Sequence, residues 1–347
     1  MRRHCLRCWG LSFIAALTVT AGRTGHAQEF CGIDDIFNNS FEAQSFVPIA
    51  QIKGGMMSAG LTQDINGSLS SISITSPSGT TGNSLVDVTG TFTGPVNTGI
   101  TVNGVYGVTV NGSFLVPNVP LSAGANTLTA QALTLTGQTN TATGSITQSG
   151  SAPPTAINPD HQIGYAPFVV NFAYVVGTLP SGKPVQSVAI NFRGSGSNDY
   201  TGSLAGAPTS YVYSAPGLYT AQFMVTDTIG NVYTASRAVL IGDFAAQRSM
   251  LCDVYGYLKD RMNAQDATGA SNVFQPADRT NYLNFFNALG TNMPAAAAQL
   301  GVIIDGQFGI GSAELLLERD NSGAQTRSGF PMRMTQGSDG VWRISEM

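Results

Sequence analysis

Histidine, the side chain that most often transfers protons or binds metal ions near neutral pH, is scarce in this sequence. The chain has three histidines, and His4 and His26 lie in an N-terminal segment that we expect to be removed on export. The remaining one, His161, follows the turn Asn158-Pro-Asp160 and has no second histidine to complete a zinc site. A Ser-His-Asp triad would have to use His161, but no G-x-S-x-G elbow precedes a predicted helix. We expect His161 to be a solvated turn residue.

Carboxylate pairs are the other groups that could carry catalysis, since glycoside hydrolysis needs two carboxyl groups at a set separation in a cleft. Glu314 and Glu318 share one strand face and point outward if Leu315 and Leu317 are core residues, so we expect them to solubilise an edge strand. The other candidates are Asp34, Asp35, Asp253 and Asp260. The sequence therefore predicts no catalytic, cofactor-binding or metal-binding residue, no cofactor, and a chain that is not an enzyme.

Aromatic side chains could bind a ligand by stacking, and Tyr200 and Trp342 are the candidates for this role. Tyr200 belongs to a cluster of tyrosines, and Trp342 lies in the last predicted strand. Alternate aromatic residues in strands are more often core residues or cross-strand partners. Both alternatives stay open for each residue.

Two cysteines, Cys31 and Cys252, remain after the N-terminal segment that contains Cys5 and Cys8. In an oxidising compartment an even pair favours a disulfide. The alternative is two separate thiols. A Cys31–Cys252 bridge would fold the region after the signal segment back onto the C-terminal part of the chain.

Residues 1–27 have the pattern of a signal peptide. Arg2, Arg3 and Arg7 precede an apolar run, and small residues follow before a cleavage point after Ala27. We therefore expect an exported protein that is secreted, periplasmic or at the cell surface. No later run is long enough to predict a membrane span in the mature chain.

Charge excludes two classes of partner. Charged residues make up 10% of the chain, and without the arginines of residues 1–27 the balance is 12 basic to 20 acidic residues. Nucleic acid and anionic membranes need clustered Lys and Arg, which the sequence lacks. The expected partner is an extracellular protein or a polysaccharide surface.

Residues 28–69 are predicted to be a lead-in segment, and residues 70–149 alternate apolar and polar residues with period two, as strands do. Asn103-Gly104 and Asn111-Gly112 predict type I′ hairpin turns. The motifs S-P-x-G (76–79), V-T-G-T (88–91), V-N-G with a following N-G-x-F (102–114) and V-P-L-x-x-G-x-N-x-L-T-A (119–130) resemble the glucodextranase B-like Ig-like domain. Here Pro117-Asn118 is inserted into that pattern. The resemblance implies a β-sandwich that accompanies enzymes and surface proteins without being the catalyst.

Residues 150–242 are predicted to be a second β-sandwich after the stiff Pro153-Pro154 linker. The motifs A-P-x-x-V-x-F (166–172) and Y-x-x-P-G-x-Y-T-x-x-x-x-V-T-D (213–227) resemble a PKD (polycystic kidney disease) domain. The family's central acidic loop is replaced by Ile190–Ser195. The resemblance implies a spacer or weak binder.

Residues 243–347 combine helical and strand periodicity. One predicted helix carries the apolar stripe Leu251, Tyr255, Leu258 and Met262. A second, with Pro276 in its first turn, carries Tyr282, Phe285, Phe286 and Leu289. A short third helix precedes four strands, and the order, with D-G-V-W-R-I at residues 339–344, resembles the nuclear-transport-factor-like cone fold.

The predicted fold is therefore multidomain and mainly β, with two Ig-like β-sandwiches followed by a small α+β domain (residues 243–347). We expect a non-catalytic exported or cell-surface rod that acts in spacing, adhesion or interaction with a ligand or protein. The alternative is a carbohydrate-binding accessory protein in polysaccharide breakdown. A hydrolase that uses the C-terminal domain is a third possibility, and it predicts a deep polar pocket there.

Overall fold

The computed structural model describes residues 50–52, 65–321 and 326–347. The chain is mainly β with a small helical region near the C-terminus, as the sequence predicts. The first described strand, β1 (Ala50–Ile52), pairs with a strand near the C-terminus and is described with it below.

The first sandwich consists of two facing sheets. Its strands are β2 (Ser71–Ser76), β3 (Gly79–Thr81), β4 (Leu85–Thr93), β5 (Thr98–Val102), β6 (Val105–Tyr106), β7 (Val108–Val110), β8 (Ser113–Pro120), β9 (Gly124–Thr134) and β10 (Thr139–Gln148). One sheet has the order β2-β4-β8-β7 and the other β3-β10-β9-β5-β6. Their inward side chains, such as Val88, Ile100, Phe114 and Leu128, form the buried core.

Both predicted hairpin turns are confirmed. Asn103 and Gly104 have φ values of 48° and 84°, and Asn111 and Gly112 have 50° and 74°. These turns join β5 to β6 and β7 to β8. Positive φ at both central residues is what a type I′ turn requires, and Asn-Gly supplies it at little steric cost.

The second sandwich consists of β11 (Thr155–Pro159), β12 (Ile163–Tyr165), β13 (Phe168–Val176), β14 (Val185–Asn191), β15 (Tyr200–Gly202), β16 (Ser210–Tyr213), β17 (Gly217–Asp227) and β18 (Val232–Gly242). One sheet has the order β11-β13-β16 and the other β12-β18-β17-β14-β15. Aromatic side chains dominate the core between them, with Phe172, Phe192 and Tyr213 among the buried residues.

The C-terminal unit packs four helices against a five-stranded sheet. Its elements are α1 (Phe244–Asn263), α2 (Ala267–Ser271), α3 (Arg279–Leu289), α4 (Met293–Gln299), β19 (Val302–Phe308), β20 (Ser312–Asn321), β21 (Thr326–Gln336) and β22 (Trp342–Glu346). The sheet is antiparallel in the order β1-β19-β20-β21-β22. A strand from the predicted lead-in segment thus completes this sheet, which the sequence did not predict.

The predicted helical stripes are only partly correct. All four residues of the first stripe are buried on α1. In the second, Phe286 is buried but Phe285 is 55% exposed, because the two adjacent residues face different sides of α3. Pro276 precedes α3, which begins at Arg279, so its predicted place inside the helix is wrong.

The predicted edge position of Glu314 and Glu318 is also wrong. Leu315 and Leu317 are buried and Glu314 is exposed, as the alternation requires. However, β20 pairs with β19 on one side and β21 on the other, so it lies inside the sheet. Glu314 lies 3.0 Å from the Arg333 guanidinium of the neighbouring strand.

Candidate functional site

The two sandwiches meet at Asp87, whose carboxylate accepts four hydrogen bonds from the second sandwich. The Arg237 guanidinium donates two, at 2.8 and 3.2 Å, the Gln162 side-chain amide one at 2.7 Å, and the Ala238 backbone N–H one at 3.2 Å. Only 8% of the Asp87 side chain is exposed. A buried carboxylate with a full set of donors fixes the angle between the sandwiches.

The Pro117-Asn118 insertion belongs to this junction. The pairing of β4 with β8 shifts register between Val86 and Val88, which places Asp87 and Asn118 in a bulge. Asn118 adopts a φ of 56°, and its side-chain oxygen accepts a hydrogen bond from Arg237 at 3.2 Å. The bulge thus orients two polar groups, the Asp87 carboxylate and the Asn118 amide, toward the second sandwich.

Apolar residues complete the same interface. Leu115 of β8 packs against Ala238 and Leu240 of β18, and all three are nearly or fully buried. These residues lie on the outer faces of their sheets, so each sandwich covers one face of the other.

The first sandwich contacts the C-terminal unit through Asn97 and Trp342. The Asn97 side-chain amide donates to the Trp342 carbonyl at 2.9 Å and accepts from the Trp342 N–H at 2.9 Å. Asn97 is 2% exposed. Its amide therefore replaces the partner strand that the start of β22 would otherwise need.

Close backbone approach and apolar packing extend this second interface. A Cβ added at Gly99 would lie 2.2 Å from the Asp339 carbonyl oxygen, so only glycine fits there. Leu133 of β9 and Leu135, which follows the strand, pack in the core of the C-terminal unit. Arg343, 2% exposed, pairs with Asp339 at 2.9 Å and shapes the turn that touches Gly99.

The second sandwich and the C-terminal unit share an aromatic contact. Tyr165 of β12 lies edge-on to Phe308 of β19, with ring centroids 5.6 Å apart, and Phe308 stacks on Phe244 of α1 at 4.2 Å. Burial raises the pKa of the Tyr165 hydroxyl. A cavity of about 160 Å³ lies where the three units meet, between Phe92, Tyr165, Gln247 and Trp342.

Each unit therefore contacts both of the others. An extended rod would have no contact between its first and last units, whereas Asn97 and Gly99 touch the C-terminal unit directly. The expectation of a rod is wrong, because the sequence does not reveal contacts between residues so far apart in the chain.

One of the sheet faces that these interfaces leave exposed lies on the first sandwich. We call it the hydroxyl face, and it consists of Thr101, Tyr106, Thr127, Thr129, Gln131, Thr141, Thr143 and Ser145. Direct cross-strand pairing aligns Tyr106, Thr101, Gln131 and Thr141 in one row across β6, β5, β9 and β10. All of these residues are exposed except Thr101, which is half-buried.

The first sandwich has almost no charge. Asp87 is the only Asp, Glu, Lys, Arg or His in residues 65–159, and it is paired with Arg237. In the part of the chain that the structure describes, no side chain of the hydroxyl face has a hydrogen-bond partner. The face therefore offers unpaired hydroxyl and amide groups and carries no charged side chain.

The structure does not bring Tyr200 and Trp342 together. Trp342 is 7% exposed and packs in the core of the C-terminal unit, which matches the core alternative. The Tyr200 hydroxyl donates to the Ser203 carbonyl at 2.7 Å, and its ring tip covers Gly202 and Gly206. The Tyr200 ring is partly buried against the core of the second sandwich. Sequence reasoning missed Tyr106, which is 48% exposed.

The remaining predicted residues lie apart from one another. Cys252 of α1 is disulfide-bonded. Cys31 lies outside the described residues, as do residues 1–27, Asp34 and Asp35, so the Cys31–Cys252 pairing stays a prediction. His161 lies 3.4 Å from Asp160 at the surface.

The described ranges hold neither a cluster of metal-ligating side chains nor a membrane-spanning helix. Residues 50–52, 65–321 and 326–347 contain no group of three or more His, Cys, Asp or Glu residues placed to hold a metal ion. None of the helices in these ranges has the length and hydropathy needed to cross a membrane.

Comparisons with known proteins show no family. Neither the protein-family models nor the curated proteins include a match to this chain. Solved structures similar in part include the fibronectin(III)-like modules of Clostridium thermocellum CbhA, at 13% identity over 50% of this chain and 95% of that one (TM-score 0.19). Another is Bacteroides ovatus SGBP-B in complex with a mixed-linkage heptasaccharide, at 13% identity over 47% of this chain and 42% of that one (TM-score 0.16). The Escherichia coli adhesin FdeC is similar at 13% identity over 50% of this chain and 66% of that one (TM-score 0.18).

Proposed function

We propose that the chain is an exported, non-catalytic protein that binds an extracellular partner through its sandwich surfaces. The first sandwich would span residues 70–149, the second residues 150–242 and the C-terminal α+β unit residues 243–347. One observation carries the proposal: buried polar groups and close backbone contacts hold the three units as one body. Such a body presents its exposed faces in fixed positions, which lowers the entropic cost of binding an extended partner.

The cysteine chemistry supports export. Disulfides persist in oxidising compartments and are rare in the bacterial cytoplasm, and Cys252 is disulfide-bonded. We propose Cys31 as its partner and residues 1–27 as the signal peptide. Closing so long a loop contributes about 4–5 kcal/mol in the chain-entropy model.

The packed core of the C-terminal unit supports a role in binding and not in hydrolysis. Phe286 and Trp342 occupy the core between its helices and its sheet, where a cone-fold hydrolase would need an open polar pocket. Phe285, which belongs to the same predicted apolar stripe as Phe286, faces solvent instead. The resemblances to the glucodextranase B-like, PKD and nuclear-transport-factor-like families stay predictions.

The proposal is tested with the purified chain from residue 28 onward. Retention is measured on polysaccharide-coated and on extracellular-matrix-protein-coated surfaces, and the supernatants are assayed for released sugars and peptides. We expect retention on at least one surface without released product. Release of product that increases with protein concentration and time would overturn the non-catalytic assignment, and retention on neither surface would overturn the binding role.

A further inference from the structure

We propose that the hydroxyl face of the first sandwich binds a neutral polysaccharide. This inference rests on the proposed function and names its ligand class and binding surface.

The charge distribution selects the ligand class. The only charged residue of the first sandwich, Asp87, is 8% exposed and accepts hydrogen bonds from Arg237 and Gln162 on the side that faces the second sandwich. Nothing on the hydroxyl face can pair with an anionic or a cationic polymer. An uncharged chain loses no ionic hydration when it binds there, and its affinity is independent of salt.

The hydrogen-bonding groups match the same class. The threonine, serine and glutamine side chains of the face each offer donors and acceptors, as sugar hydroxyls do. In the described residues these groups are unpaired, so they exchange water for ligand without breaking a protein contact. The row from Tyr106 to Thr141 crosses four strands, and at the usual strand spacing it is about 14 Å long.

Tyr106 supplies the apolar contact. Its ring lies at the open edge of the sheet, on the hairpin formed by β5 and β6. An exposed aromatic ring beside hydrogen-bonding side chains can stack on the C–H face of a sugar while its neighbours bind the hydroxyl groups. Along the strands, Gly99 and Leu133 close one end of the face against the C-terminal unit, next to the row that contains Tyr106. The face stays exposed toward its other end, at Thr127 and Ser145, so a glycan chain would extend from Tyr106 in that direction.

The test is affinity electrophoresis through gels that contain soluble polysaccharides, either neutral (β-glucan, xyloglucan, dextran, galactomannan) or anionic (alginate, polygalacturonate). The chain from residue 28 onward is compared with Tyr106→Ala and Gln131→Glu. The matched controls lie on the second sandwich: Val212→Ala removes an exposed side chain, and Gln186→Glu adds a charge to an exposed strand. Circular dichroism verifies that every variant is folded.

We expect at least one neutral polysaccharide, and neither anionic one, to retard the protein in the gel. The retardation should be unchanged at 1 M NaCl, because this ionic strength screens surface charges beyond about 3 Å. Tyr106→Ala and Gln131→Glu should each weaken it about tenfold, while the controls bind like the wild type. If the chain binds a neutral glycan and both face variants bind equally well, the surface is wrong but the proposed function stands. Two results would contradict the neutral-polysaccharide inference but leave the proposed function standing. One is binding only to anionic glycans or to proteins, and the other is a dimer that the Tyr106→Ala substitution dissociates. Retention by no glycan and no protein surface overturns both.

Discussion

The side-chain amide of Asn97 pairs with both backbone groups of Trp342, at 2.9 Å in each direction, across 245 residues of sequence. A single buried side-chain amide thus makes the two backbone hydrogen bonds that a neighbouring strand would otherwise make to the start of β22. This relationship, together with the Asp87–Arg237 contact, joins the first sandwich to the rest of the molecule.

Asn97→Ala should separate the C-terminal unit from the first sandwich. It leaves the N–H and C=O of Trp342 buried without partners, which costs about 2–3 kcal/mol of unfolding free energy. Trp342 is the only tryptophan after residue 27, so its fluorescence reports directly on this contact. We expect a red-shifted emission and a lower urea midpoint, whereas Asn284→Ala, on an exposed position of α3, should change neither.

Gly99→Ala should disturb the same interface through steric overlap. The new Cβ would meet the Asp339 carbonyl at 2.2 Å, and backbone atoms cannot rotate away as a side chain can. Gly144→Ala is the matched control in β10, because its Cβ would meet only the Ile74 side chain at an ordinary 3.5 Å. Limited proteolysis should cleave the Gly99 variant faster near the turn at residues 337–340. Equal cleavage of both variants would contradict the contact.

Asp87→Asn should loosen the two sandwiches. The amide keeps the size of the side chain but loses the charge that pairs with the Arg237 guanidinium, so we expect a loss of about 2–3 kcal/mol. Glu314→Gln removes an exposed ion pair with Arg333 and should cost less than about 1 kcal/mol. Urea unfolding followed by circular dichroism measures both changes. Equal effects of the two substitutions would argue against a buried junction.

Acid should destabilise the second sandwich through Asp227. Its burial raises the pKa of the carboxyl group, but hydrogen bonds from Ser181, Asn231 and Ile229 outweigh this and hold the pKa at about 2. Since the unfolded value is near 3.8, the ionised group stabilises the fold above about pH 4, and this contribution is lost as the pH falls from there through 2. Asp227→Asn should be less stable than the wild type at pH 6, and the difference should shrink toward pH 2. A difference that is constant from pH 6 to pH 2 would contradict this pKa.

The sequence predicts turns, strands and helical stripes well because each depends on residues that are close together in the chain. The Asn-Gly turns, the alternation around Leu315 and Leu317 and the α1 stripe all depend on neighbouring residues. The short helix α2 lacks a stripe of its own and was missed. Strand β1 was missed because three residues of an edge strand carry no periodicity.

The junctions could not be predicted in the same way. The D-G-V-W-R-I run entered the sequence analysis only through its resemblance to the cone fold, yet Asp339, Gly340 and Trp342 also contact the first sandwich. The sequence shows the Pro117-Asn118 insertion but not that it faces Arg237 at the other junction. The hydroxyl face likewise follows from strand register, which places Tyr106, Thr101, Gln131 and Thr141 side by side.

Distances between the units test the central claim, that the three units form one body, most directly. Spin labels are attached in pairs at Thr127→Cys, Gln186→Cys and Asn284→Cys, one exposed position in each unit, and double electron–electron resonance records the distance distributions in solution. We predict a single narrow distribution for all three pairs. A broad distribution for any pair that includes the first sandwich would show that the units move independently and would contradict the account.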